Sequence, residues 1–153
     1  MAKIDRGTEE PLYSMDQWSG YEVARSRILT FLHERKIANP VVLSGDIHSN
    51  WAADLKLDFG DPKSPAVGSE FVGTSISSGG DGSDTTPLTA GYYSRNPHLH
   101  LYNSQRGYVR CAVTRKQWQS DYRVVDYVSK PGSPVKTRAS FVVEAGRPGM
   151  QKA

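Results

Sequence analysis

Residues 40–51 read PVVLSGDIHSNW, an apolar run that passes without a break into an aspartate and a histidine two positions apart. Val41, Val42 and Leu43 make a stretch too short for a helix, with the composition of a strand buried on both faces. Asn39-Pro40 ahead of it breaks any preceding helix, because proline disfavours helical backbone in the residue before it. Asp46 and His48 then emerge at the carboxyl end of the strand, where ligand sites gather in α/β sheets. In extended backbone, residues two apart point the same way, which would let this carboxylate and imidazole converge on one or two metal ions. Gly45 permits a tight turn or the close approach of a ligand. The residues alone leave two readings open: a metal-binding corner, or a strand end with a capping Asp46 and a hydrogen-bonded His48.

Upstream, Trp18, Tyr21, Ala24, Ile28, Phe31 and Leu32 recur near helical spacing. They predict a helix over 18–36 with Asp16 or Ser19 as its cap, and His33 in the last turn, where a cation suits the helix dipole. Helix, short break and buried strand form an α/β pattern. Downstream, 54–58 alternates as a strand, GDPKSPAVGS is turn-rich, and EFVGTSIS is a further strand. SGGDGSDTTPLTAG reads as a surface loop. HLHLYN, GYVRCAV, DYRVVDYV and TRASFVV then follow as β segments separated by SQR, TRKQWQS and SKPGSPVK, which predicts an antiparallel β meander in the second half. The fold class is therefore α/β to α+β.

With 153 residues, 37% apolar and 23% charged, the chain fits a single globular domain or a piece of a larger one. No apolar run is long enough to span a bilayer as a helix. The net charge of +3 is scattered without a basic stripe, which argues against nucleic acid and suits a phosphate-bearing small substrate. Cys111, the only cysteine, excludes an internal disulfide and reads as a small buried apolar residue of a strand. MAKIDRGTEE lacks the apolar core of a secretory signal.

Metal chemistry needs more than two donors: four or more for zinc or iron, six or more for calcium. His98 and His100, on one strand face, and Asp81 and Asp84, in the glycine-rich loop, are further candidates. A polar strand face and a turn-forming role are the favoured readings of these two pairs. The chain has no G-x-S-x-G, no phosphate-binding Walker loop, no H-E-x-x-H and no C-x-x-C.

In order, MDQWSGY, VVLSGDIHSNWAADLK, EFVGTSISSGGDG, NPHLHLYNSQRGYVRCAVT, SDYRVVDYV and TRASFVVEAG resemble the C-terminal part of the PhoD-like alkaline phosphatases, members of the calcineurin-like metallophosphoesterases. The resemblance runs from Tyr13 to Gly146. It implies two packed β-sheets flanked by helices, with a polymetal site at the carboxyl ends of strands. It gives Asp46 and His48 the two ligand places of the superfamily's last metal motif, for iron together with calcium. Neither would act as nucleophile, acid or base. Gly45, Asn50 and Trp51 would line the same corner, and Trp18 and Tyr21 match the family's W-x-G-Y stretch beside it.

The implied reaction is hydrolysis of phosphomonoesters and phosphodiesters, on a small molecule or the cell envelope, by a bacterial protein exported across the inner membrane. The earlier metal motifs of the superfamily would lie upstream of W-x-G-Y, and the residues before Asp16 do not form them. The expectation is thus a partial metallophosphatase domain over 1–153: a helix, buried strand and ligand corner in 1–60, and the β-rich remainder in 61–150. Its partner would be the N-terminal part of the same domain, and alone it would be inactive and prone to associate through uncovered apolar edges. The competing expectation is a non-catalytic β-rich binding or interaction module.

Overall fold

The computed structural model describes residues 14–153; positions 1–13, which include the polar start and Tyr13, lie outside the described residues. A 3-10 turn, Trp18–Gly20, leads into helix α1, Glu22–Glu34, followed by strands β1 (Val41–Ser44), β2 (Asn50–Lys56) and β3 (Ala66–Val72). Helix α2 (Thr89–Arg95) precedes β4 (Leu99–Asn103), β5 (Gly107–Val113), β6 (Gln117–Val124), β7 (Lys136–Glu144) and the short β8 (Gln151–Lys152).

The strands form two sheets. The first has the order β1-β3-β2-β4, with β1 parallel to β3 and β2 antiparallel to both of its neighbours. The second, β5-β6-β7-β8, is antiparallel throughout. Side chains alternate across each strand, so Ala52 and its register partners Phe71 and Leu101 share one face of the first sheet. That face packs on Tyr122, Phe141 and Val143 of the second sheet, with Met150 completing the core. Tyr122, wholly buried, also donates its hydroxyl to the Trp51 carbonyl and so ties the sheets together. On the opposite face Leu55 and Val67 pack against Leu29 of α1, and Ala53, Leu99 and Tyr102 pack with Trp51 and Tyr92. The architecture is a mixed α/β sandwich with an antiparallel second half, as the sequence predicts.

Several local expectations are corrected. The helix begins at Glu22, and neither Asp16 nor Ser19 caps it; the N-cap residue is Tyr21, without a side-chain cap bond. A Cβ at Gly20 would come within 2.6 Å of the Ser14 carbonyl, so the chain at Trp18–Gly20 is pressed into a separate turn. Strand β1 is not buried on both faces: it lies at the end of its sheet, with Leu43 56% exposed. Strand β2 starts at Asn50 rather than at Asp54, and β3 ends at Val72, shortly beyond which the Thr74 N–H goes to the Asn50 side chain instead of a neighbouring strand. The expected loop gives way to α2 at Thr89, whose hydroxyl accepts the Thr86 N–H. The HLHLYN segment joins the first sheet beside β2 instead of the meander. A register slip at Ala52/Ala53 places Leu101 and Leu99 opposite adjacent residues of β2. His98 and His100 therefore meet different surroundings: His98 is buried edge-on to Phe59, and His100 is exposed and bonded to Asp54 at 2.8 Å. Cys111 is exposed, since β5 turns that stretch of its length to solvent.

One buried carboxylate stitches the second sheet. Asp121 accepts bonds from Gln119 Nε2 at 2.9 Å, Arg110 Nη2 at 2.6 Å and Ser140 Oγ at 2.7 Å. Those donors, Gln119 first, hold its pKa down to about 2. A carboxyl depressed on folding stabilises above its unfolded pKa, and that contribution is lost as pH falls through the folded value. Stability should therefore drop as the pH is lowered from about 4 towards 2. In denaturation at stepped pH, Asp121→Asn should be the less stable protein at neutral pH, with the difference closing below about pH 3. A difference independent of pH would contradict this role.

Candidate metal centre

Strand β1 ends at Ser44 and β2 begins at Asn50, so residues 45–49 form the turn between them. Asp46 and His48 both lie on it, exposed. Their backbone is not extended: φ is 73° at Asp46 and 53° at His48, in the left-handed region. The convergence expected from extended alternation is thus replaced by a turn, and the left-handed positions are the two ligand-type residues and not Gly45. A non-glycine residue held there costs on the order of 1 kcal/mol or more and persists only where its surroundings enforce it. Neither side chain has a hydrogen bond or ion pair among the described residues. A capping Asp46 and a bonded His48 therefore find no support here, and both side chains remain free to bind a ligand.

The enforcement comes from below. Asn50, fully buried, donates from Nδ2 to Asn103 Oδ1 at 3.0 Å, and its Oδ1 accepts the Thr74 N–H at 3.1 Å. Asn103, also fully buried, donates to Gln105 Oε1 at 3.0 Å and to Asp84 Oδ1 at 2.9 Å. Arg106 reaches up to donate to the His48 carbonyl at 2.9 Å. Within the turn, Ser49 Oγ donates to the Ile47 carbonyl and accepts the Trp51 indole N–H at 2.8 Å. Asn50 and Trp51 thus stand behind the corner. Asn103 closes the β segment HLHLYN, and Gln105 and Arg106 fall in the SQR separator after it; nothing in their spacing marks them, because polar residues in a row look like a loop whether or not they are buried.

Beside the corner lies a cavity of about 540 Å³ whose lining includes Trp18, Gly45, Ile47, Trp51, Tyr92 and Tyr102. Trp51 meets Tyr92 and Tyr102 edge-on, with centroids 4.9 and 4.6 Å apart. Trp18 reaches the cavity but Tyr21 does not line it and is 55% exposed. The other candidates are engaged elsewhere. Asp81 accepts the Val128 and Ser129 N–H groups, bonds that lower its pKa. Asp84 is paired with Arg138. Both aspartates fasten the glycine-rich loop, and His33 is exposed at the end of α1. Among the described residues no three or more His, Cys, Asp or Glu side chains gather as a metal cluster.

Asn50→Ala would leave the half-buried Thr74 N–H without its acceptor and the buried Asn103 amide oxygen without its Asn50 donor, at a cost of about 1–3 kcal/mol. Thermal melting should show a drop of several degrees, roughly 2–4 °C per kcal/mol for a chain of this size. An unchanged melting temperature would show that the amide network does not hold the corner.

The sequence profile described as PhoD-like phosphatase matches residues 1–122. Alkaline phosphatase D of Bacillus subtilis (strain 168) is 47% identical over 152 residues, covering 99% of this chain and 26% of that protein. The solved "Structure of PhoD" superposes with a TM-score of 0.91 at 46% identity, over 99% of this chain and 29% of that one. The chain thus spans about a quarter of the length of the curated relative it matches. A match of this extent in sequence and in fold places the chain in the PhoD-like phosphatase family.

Proposed function

We propose that this chain forms part of a metal-dependent phosphoester hydrolase of the alkaline phosphatase D type, to which it contributes the metal ligands Asp46 and His48. The carrying observation is the pair itself: two uncommitted ligand-type side chains, held in left-handed backbone, at the carboxyl end of β1. A hard carboxylate oxygen beside a borderline imidazole nitrogen is a donor set compatible with calcium and iron. When bound, such ions polarise phosphoryl oxygens and supply a nucleophile for in-line displacement. The chain's own part is to hold the two donors still, through the Asn50 amide and the Arg106 guanidinium. Two donors do not fill a coordination sphere, so in this reading the remaining ligands come from the part of the relatives that the chain does not span.

The proposed substrates are phosphomonoesters or phosphodiesters of small molecules or of the cell envelope, and the longer protein acts after export across a bacterial inner membrane. The likeness to a bacterial alkaline phosphatase D supports this reading. No helix among the described residues is long and apolar enough to cross a membrane.

In the full-length protein, Asp46→Ala or His48→Ala should lower turnover of p-nitrophenyl phosphate and bis-p-nitrophenyl phosphate by roughly a thousandfold, the scale of losing several kcal/mol of metal stabilisation. Bound iron or calcium should fall in parallel. The 153-residue chain alone should show no metal-dependent turnover. Unchanged activity in both variants would remove these residues as ligands, and robust turnover by the chain alone would show that its site is complete.

A further inference from the structure

Arg106 is a buried cation that no carboxylate among the described residues neutralises. It is 3% exposed, and its guanidinium donates only to oxygens of other segments or of its own turn. Nη2 donates to the His48 carbonyl at 2.9 Å and to the Ser104 carbonyl. Nη1 donates to Ser75 Oγ at 2.7 Å and to the Ser78 carbonyl at 2.6 Å. Nε is buried and has no hydrogen-bond partner among the described residues. Burying an arginine without a counter-ion is costly, and here its several donors are spent on joining separate segments. What it joins is specific: the left-handed backbone of His48, the loop that follows β3, and the start of β5. That loop also touches the imidazole side of the corner. A Cβ built on Gly79 would lie 3.1 Å from Arg106 Nη1 and 3.6 Å from His48 Nδ1, so glycine leaves room for both.

We propose that Arg106 is a positioning residue of the metal centre, clamping the His48 backbone to the 75–78 loop and thereby fixing the direction of the His48 imidazole. This rests on the reading of His48 as a ligand. The clamp needs a planar fork with several donors in fixed directions; a lysine keeps the charge but offers a single nitrogen and cannot span the same oxygens. Charge and geometry are therefore separable by substitution.

The test uses the full-length protein with Arg106→Lys, Arg106→Ala and, as a milder variant, Ser75→Ala. Three quantities are read: metal retained on dialysis against graded chelator, kcat and KM for p-nitrophenyl phosphate, and the melting temperature of the metal-depleted protein. Arg106→Lys should melt close to the parent when metal-free, yet bind metal about 10–100-fold more weakly, the scale seen when a residue that orients a metal ligand is removed. The loss should appear in kcat with KM little changed, and Ser75→Ala should move the same quantities less far. If Arg106→Ala does not fold, the lysine and serine variants carry the measurement. Metal affinity and kcat within about twofold of the parent in Arg106→Lys, well below that tenfold minimum, would overturn the proposal, whatever the melting temperature does. His48→Ala serves as the separate control: if it leaves metal and activity intact, the ligand reading fails, whereas its loss beside an unaffected Arg106→Lys refutes the clamp alone.

Discussion

The side-chain amides of Asn50 and Asn103 face each other across β2 and β4 at 3.0 Å, with no exposure to water. These two residues are register partners, so their bond fixes where β2 begins and hence where the 45–49 turn must end. From that pair the polar frame extends outwards. Asn50 takes the Thr74 N–H just beyond β3, and Asn103 anchors Gln105 and Asp84. Buried polar groups are expensive when unpaired and rigid when satisfied, so such a network specifies one geometry. The turn above it inherits that rigidity.

The consequence is a division of labour between layers. Below, Ala52, Phe71, Tyr122 and Phe141 form an apolar interior between the sheets. In the middle lies the amide and guanidinium frame. On top, Asp46 and His48 stand in left-handed backbone with their side chains uncommitted. Apolar surface also remains open on α1 and β1: Val23 is 76% exposed, Phe31 54% and Leu43 56%. Strand β1 pairs only with β3 among the described residues, at the end of its sheet. An open edge of that kind, in a chain spanning 26% of a relative, is where the proposed remainder of the site would join.

The strands were legible because alternation and β-branched composition survive without knowledge of partners: GYVRCAV and TRASFVV lie in β5 and β7. The collinear motifs around GDIHSNW carried the family. What did not show was anything set by neighbours distant in the chain. VVLS has the composition of a central strand, yet β1 is at an edge, since burial depends on which strands flank it. His98 and His100 appear to share a face until a register slip separates them. The alternation argument for Asp46 and His48 does not hold in the fold, because a left-handed turn leaves no mark on composition when its residues are not glycine. Arg106 lies in the SQR separator; its burial follows from three segments that meet only in the folded chain.

The central claim is that Asp46 and His48 hold metal. Its most direct test is anomalous diffraction at the iron edge, with calcium assigned from the residual density, on crystals of the full-length protein. The account predicts a metal ion at about 2.0–2.6 Å from the His48 imidazole or the Asp46 carboxylate, with both side chains ligating within the same cluster. A metal cluster bound elsewhere, with both side chains pointing to solvent, would contradict it.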